Sequence, residues 1–403
     1  MDSPLPPSPP PAAWTGASLQ RSPLWGHPLT GRQVAELTDA LHRFKKSGHS
    51  YRTVADHGID RSMLPLEGSV AELLDRVRTE LEDGTGAVML KNLPVDEFDE
   101  QDTAVLHAGI SAHIGHLVRQ AGGRVRSQSR GHGRFLGKVT AEMSGSVPLH
   151  GKQSDNRFLL HTDVCDAISL LCVRNSSRDF EDGGSIVASA IAIHEVMREE
   201  SPVLAQELFK PLPRLWTTSK DLHCSMPVWK FYGQGLFTTQ LTPVYTELSQ
   251  LLPQTPTITR EQVQALRELQ ETGYRIGLKF CLEPGDCYFL NNHLAYHGRT
   301  AWRHTEGRPS PRVLLRTWIS PYNSRPLPNE PPYRELWGTT TAGTPRGRAH
   351  EVTDDPQALE ALDDVNARIE GLTSGGGYNY YDLYADYGKF MSAMGRTPMS
   401  DAS

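Results

Sequence analysis

No stretch of this 403-residue chain approaches 18 uninterrupted apolar residues, so no transmembrane helix is expected. The opening "MDSPLPPSPPPAAW" has proline where a secretory signal needs a basic end and an apolar run. Cysteine is scarce: Cys165, Cys172, Cys224, Cys281 and Cys287 are odd in number and show no CxxC spacing. That argues against a disulfide framework or a zinc ribbon and fits reduced, buried thiols. A basic excess is also missing. The 41 Lys+Arg against 47 Asp+Glu give a net charge of -6, the wrong sign for general affinity to a phosphate backbone. There is no internal repeat. These absences leave a soluble, cytoplasmic protein as the expectation, with neither nucleic acid nor membrane as a partner.

Residues 1–13 are Pro-rich, sample polyproline II and cannot form a packed core, so they are read as a disordered tail. "GSVAELLDRVRTELEDGTGAVML" predicts a helix and then a strand. Ser69 and Glu72 have capping-box spacing, and Val70, Leu73, Leu74, Val77 and Leu81 share one face. Gly84 and Gly86 end the helix, and 87–90 reads as a buried strand. A second helix is expected over Glu100–Ile114, followed by a basic glycine-rich loop with Arg124, Arg126, Arg130 and Arg134, read as solvated. From Phe158 the texture turns to strands: "FLLHTDVCDAISLLCV", "SIVASAIAI", "RIGLKFCLEPGDCYFLNN" and "RVLLRTWIS", with a turn at Glu283-Pro284-Gly285-Asp286. Helices are expected near 193–200, from Ser201-Pro202, over 257–272 and over 356–369. The final "SGGGYNYYDLYADYGKF" is expected to pack on the core or on a neighbouring subunit of a homo-oligomer. The fold class is mainly β with flanking helices (α+β), of sandwich or barrel type.

Within "FLLHTDVCD", His161 and Asp163 stand one residue apart. On a strand they project from the same side, close enough to grip one ion. His297, in "GDCYFLNNHLAYHGRTAW", is the candidate third ligand. Two histidines and a carboxylate on one face of an ion leave three open positions, the arrangement of non-haem Fe(II) oxygenases, with zinc as the competing metal. His293 and His297 also form an HxxxH pair, but Leu294 occupies the place where a helical zinc protease has glutamate. Along "RVLLRTWI", Arg312, Leu314, Arg316 and Trp318 fall on one face and Val313, Leu315, Thr317 and Ile319 on the other. Both faces look buried, so two permanent cations need anions: either internal carboxylates or those of bound ligands, which arginine matches two by two. His194 reads as a structural histidine, Cys165 as a filler, and Trp302 and Trp318 as core. Asn291 and Asn292 are expected to supply hydrogen bonds near His297.

In chain order, "GTGAVMLKNLPVDEF", "HTDVCD", "GGSIVASAIAIHEVM", "EPGDCYFLNNHLAYHGRTAW" and "RVLLRTW" resemble the TauD/TfdA-like Fe(II)/2-oxoglutarate dioxygenases, in particular the clavaminate-synthase-like members. The resemblance implies a double-stranded β-helix, or jelly-roll (cupin-like), core in a catalytic domain over 14–325, with 326–403 as a C-terminal extension. It implies Fe(II) held by His161, Asp163 and His297, with Arg312 and Ser185 at the distal carboxylate of 2-oxoglutarate and Arg316 at the substrate's own acid group. The insert "RHTEGRPSP" makes Arg308 the alternative to Arg312; Arg312 is preferred because it opens a strand on Arg316's face. The implied reaction couples O2 and 2-oxoglutarate decarboxylation to oxidation of an unactivated C–H bond, by hydroxylation, desaturation or oxidative cyclisation. The implied substrate is a small acid, an amino acid or derivative of specialised metabolism. The reading of a different class is a catalytically silent jelly-roll protein that binds a metal or a small acid.

Overall fold

Apolar runs too short for helices and bounded by turn residues form the framework strands. In the computed structural model, which describes residues 11–120, 135–140, 157–216, 221–302, 312–347, 356–374 and 381–397, they assemble into two principal sheets. The larger has seven strands: Trp25–Pro28, Ala87–Lys91, Cys287–Asn291, Ala167–Asn175, Arg312–Pro321 and Gly115–Val118 in that order, with Gly137–Thr140 also paired to Arg312–Pro321. The smaller has four: Leu278–Phe280, Ser185–Ser189, Ala295–Arg299 and Phe158–His161. Among the described strands of these two sheets, only Trp25–Pro28 and Ala87–Lys91 pair in parallel.

Alternation along each strand sorts the side chains into layers. Leu314 and Trp318 join Met89, Ile168 and Leu290 of the large sheet and Val187 and Ala295 of the small one in a core between the sheets. Leu315 and Ile319 face the other way, into a cluster with Leu41, Leu74, Val77 and Ile110 of the helices Gly31–Lys46, Gly68–Asp83 and Glu100–Ile114. Outside the small sheet, Leu160, Ile186 and Tyr296 meet Ile193, Leu266 and Leu269 of Ala190–Glu200 and Arg260–Ile276. The result is an α+β fold with a double-stranded β-helix core sandwiched by helices. No helix among the described residues is long and apolar enough to cross a membrane.

Two expectations change. The helix Gly68–Asp83 has no capping box: Ser69 Oγ donates to Glu36 Oε2 at 3.0 Å, and Val70 N–H donates to the same oxygen at 2.9 Å. The anion at this helix start therefore comes from a neighbouring helix, which single-segment spacing cannot reveal. Second, "FLLHTDVCDAISLLCV" is two strands in different sheets, Phe158–His161 and Ala167–Asn175. Between them the backbone is bonded to other loops, Thr162 N–H to Leu241 O (2.7 Å) and Asn292 N–H to Asp166 O (2.8 Å), so the chain crosses from one sheet to the other.

Beyond residue 325, Leu327, Tyr333, Leu336 and Trp337 enter the inter-sheet core, and Leu383, Tyr384, Phe390 and Met391 the outer helical layer. Near the N-terminus Ala12, inside the stretch read as a tail, is buried and accepts a hydrogen bond from Ser189 Oγ. Residues 1–10, the basic loop with Arg124, Arg126, Arg130 and Arg134, and the insert carrying Arg308 lie outside the described residues.

Candidate metal centre

His161 ends the strand Phe158–His161, and His297 lies on Ala295–Arg299 as its direct register partner. Directly opposed residues point to the same face, which sets the two rings side by side with centroids 4.1 Å apart. Asp163 is not on that strand but in the turn beyond it. Its position is set by Asn292, whose Oδ1 accepts from Asp163 N–H at 3.1 Å and whose Nδ2 donates to Cys165 O at 3.0 Å. One side chain thus ties the turn carrying Asp163 to the turn preceding His297. Ligand atoms of His161, Asp163 and His297 all lie within 4.8 Å of one another.

Hydrogen bonding orients the donors. His161 Nδ1 faces the carbonyl of Leu159 at 2.8 Å and must donate to it, so Nε2 carries the lone pair, 3.9 Å from Asp163 Oδ1. Asp163 Oδ2 accepts from Trp318 Nε1 (2.8 Å) and Arg316 Nη1 (3.0 Å), whereas Oδ1 makes no hydrogen bond among the described residues. His297 Nδ1 is buried without a hydrogen-bond partner among the described residues. Burial lowers the pKa of both histidines, against the pull of Asp163; for His297 the neighbouring imidazole adds to the effect and the value falls to about 3. Burial pushes Asp163 up, but Arg316, His297, His161 and the Trp318 hydrogen bond together hold it below the usual carboxylate range. Neutral imidazoles beside an ionised carboxylate are the state a divalent cation requires, and a bare Nε2 with an unbonded Oδ1 on one face fits iron(II).

Arg312 opens a large-sheet strand, and Ser185 opens a small-sheet strand. The buried Arg312 guanidinium donates from Nη1 to Ser185 Oγ (3.1 Å) and Gly183 O (2.9 Å), with the Trp302 ring 5.2 Å away. Gly183 has φ +76°, and a Cβ there would fall 2.2 Å from Trp302, so only glycine lets the backbone approach. Arg316 is held differently: Nε donates to Gln120 Oε1 at 2.8 Å and Nη1 to Asp163. Of the two kinds of anion expected for the paired arginines, Arg316 thus has an internal carboxylate. Trp318 is core, as its sequence suggested, but its indole N–H also fixes a candidate ligand.

Sequence reasoning missed Gln120 and the bond from Trp318 to Asp163. It also missed a second network, in which Asp166 accepts from His293 Nε2 (2.9 Å), Arg346 Nε (2.8 Å) and Ser320 Oγ (3.1 Å). A buried indole usually finds an acceptor, so Trp318, on the arginine face of its strand, carried the one usable signal.

A model of the family described as "Taurine catabolism dioxygenase TauD, TfdA family" matches residues 61–318. The chain belongs to this family. As a TauD/TfdA member it is a non-haem Fe(II)/2-oxoglutarate-dependent dioxygenase that uses O2. It is 26% identical to FR-33289 synthase of Streptomyces rubellomurinus over 346 residues, 83% of this chain and 96% of that protein. It is 25% identical to the taurine hydroxylase-like protein SAT17 of Stachybotrys chartarum over 320 residues, 75% of this chain and 77% of that protein. Among solved structures, asparagine oxygenase (AsnO) superposes with a TM-score of 0.54 at 15% identity, covering 74% of this chain and 93% of that one. The non-heme iron oxygenase OrfP, in complex with Fe and alpha-ketoglutaric acid, gives 0.52 at 15% identity, covering 79% and 99%. These structural likenesses speak for the TauD/TfdA fold. The family match ends before Ser320 and Arg346, so the network closing on Asp166 reaches beyond it.

Proposed function

We propose that His161, Asp163 and His297 hold iron(II), that Arg312 and Ser185 receive the distal carboxylate of 2-oxoglutarate, and that the enzyme oxidises an unactivated C–H bond of a small acid-bearing substrate, an amino acid or derivative. The observation that carries this reading is an open face of two neutral imidazoles and one unbonded carboxylate oxygen, in the same fold as a buried guanidinium paired with a hydroxyl where the two sheets meet. When bound, iron and 2-oxoglutarate together activate O2, with loss of CO2 and formation of succinate, and supply the oxidant for the C–H bond.

The chain's own residues do the positioning. Arg316 and Trp318 keep Asp163 ionised and turn Oδ1 outward. Leu159 fixes the His161 tautomer. Arg312 offers a planar fork that a carboxylate matches, and the apolar walls exclude water. Arg316 Nη2 makes no hydrogen bond among the described residues, and this edge is read as the contact to the substrate's acid group. The relatives favour an amino acid: AsnO is an asparagine oxygenase, and OrfP has been crystallised with (3R,4R)-dihydroxy-L-Arg. A cytoplasmic location is supported by five cysteines that are all unpaired.

The test is succinate release over a panel of amino and 2-substituted carboxylic acids supplied with Fe(II), 2-oxoglutarate and O2. At least one acid should stimulate turnover. Absence of both succinate formation and oxygen uptake, with every acid tried, would favour the silent binder.

A further inference from the structure

Arg214, on the strand Leu212–Leu215, is 4% exposed, yet no described carboxylate pairs with it. Among the described residues its Nη2 donates to Thr242 Oγ1 at 3.2 Å, its Nη1 has only Met226 Sδ at 3.9 Å, and its Nε is buried with no partner. The guanidinium lies between two aromatic rings, 5.5 Å from the centroid of Trp216 and 5.9 Å from that of Tyr245, and the indole Nε1 of Trp216 is a second buried donor without an acceptor among the described residues. A buried cation with an orphaned donor costs stability unless something neutralises it, and neither sulfur nor ring faces do so fully.

Its location says what that something is. Thr242, which receives Arg214, donates to Thr162 O at 3.4 Å, and Thr162 is the residue between His161 and Asp163. Thr162 N–H and Leu241 N–H lock the two segments together, at 2.7 Å to Leu241 O and 3.1 Å to Thr162 Oγ1. Tyr245, beside Arg214, has its hydroxyl raised by burial and sits in the combined field of Arg214, Asp163 and Arg316. Arg214 is therefore two hydrogen bonds from the backbone that joins two of the candidate ligands, on the side of that segment where Tyr245 stands.

We infer that Arg214 is an anion-binding residue of the substrate site and takes an acidic group, carboxylate or phosphonate, of the molecule being oxidised. The inference rests on the reading of His161, Asp163 and His297 as the iron site. It accounts for a guanidinium in a place where an internal structural role would have supplied a carboxylate, and the acidic group it assigns to Arg214 is a second one, distinct from the group read at Arg316 and from the 2-oxoglutarate carboxylate at Arg312.

The experiment compares thermal melts of the full-length wild type, Arg214→Met and Arg214→Lys in acetate, methylphosphonate or chloride at matched ionic strength. One of the two acids is expected to raise the wild-type midpoint by a few degrees over chloride, and which one distinguishes carboxylate from phosphonate. Arg214→Met should melt in chloride at or above wild type, because an uncompensated buried charge is gone, and should lose the response. Arg214→Lys, which keeps the charge without the fork, should retain less of it. A wild type that neither acid stabilises, an equal response in Arg214→Met, or a Met variant melting several degrees lower in chloride would each overturn the assignment. Anaerobic addition of Fe(II) and 2-oxoglutarate to all three proteins provides the separate control. A visible charge-transfer band in each shows the iron reading intact whatever the anion result, and no band in wild type means that the iron reading itself has failed.

Discussion

Asp163 and Asp166 stand in one turn, are both buried, and each has an arginine and a histidine beside it. Asp166 uses both oxygens: Oδ1 accepts from His293 Nε2 and Arg346 Nε, both at 2.9 Å, and Oδ2 from Arg346 Nε (2.8 Å) and Ser320 Oγ (3.1 Å). Asp163 spends only Oδ2, on Arg316 and Trp318. The same residue types therefore give two different devices. A carboxylate with both oxygens filled is a structural anion; one filled on a single side is oriented, and presents its other oxygen to whatever lies between the imidazoles. The closed aspartate also braces the open one, because Asp166 O accepts from the backbone of Asn292, whose side chain holds Asp163 N–H.

The contrast is broken most severely at its open end. Asp163→Ala should abolish iron-dependent succinate release and stoichiometric iron binding, measured by metal analysis after desalting, while the protein remains folded. Retained turnover would remove Asp163 from the metal centre. The counterpart Asp166→Ala strands the Arg346 charge, whose side chain is 0% exposed, and should cost about 3–5 kcal/mol in denaturant unfolding. The folded fraction should still bind iron. If Asp166→Ala lost iron at unchanged stability, the two aspartates would not divide the work in this way.

How far the sequence announced this division differs between the two. His161, Asp163 and His297 could be singled out because metal ligands are rare residue types in apolar runs, and the structure brings all three together. Same-strand spacing accounts for only part of this, since Asp163 shares no strand with His161 and is placed by Asn292 instead. The two layers of the Arg312–Pro321 strand followed from period-two alternation, which is local information. Asp166 was silent because its partners, His293, Ser320 and Arg346, come from three distant segments, and nothing in a local pattern tells a buried aspartate which oxygen will be filled. Glu36 at the start of Gly68–Asp83 was hidden for the same reason.

Smaller effects sharpen the comparison between arginines. Arg312→Met removes the guanidinium paired with Ser185, and loss of a buried charged partner of about 3 kcal/mol corresponds to a rise of roughly a hundredfold in the 2-oxoglutarate concentration needed for half-maximal turnover. Titration of 2-oxoglutarate at saturating iron measures it. An unchanged requirement would move the role to Arg308.

The finest test lies on one strand, where Trp318 and Ser320 point to the same face and donate to Oδ2 of Asp163 and Asp166 respectively. Trp318→Phe keeps most of the ring volume and deletes one hydrogen bond to a charged group, worth about 1.5–3 kcal/mol, so iron affinity should fall by roughly ten- to a hundredfold. The sign of its pH effect follows from the same bond. The Trp318 N–H helps hold Asp163 below the usual carboxylate range, so removing it raises that pKa, and iron is lost at a higher pH as acid is added. Ser320→Ala deletes one donor from a carboxylate that keeps His293 and Arg346, so it should cost no more than about 1.5 kcal/mol of stability and leave the iron titration and its pH limb in place. Equal shifts of the acid limb in both variants would mean that the two carboxylates titrate as one unit, and that the oxygen left open on Asp163 is not what separates them.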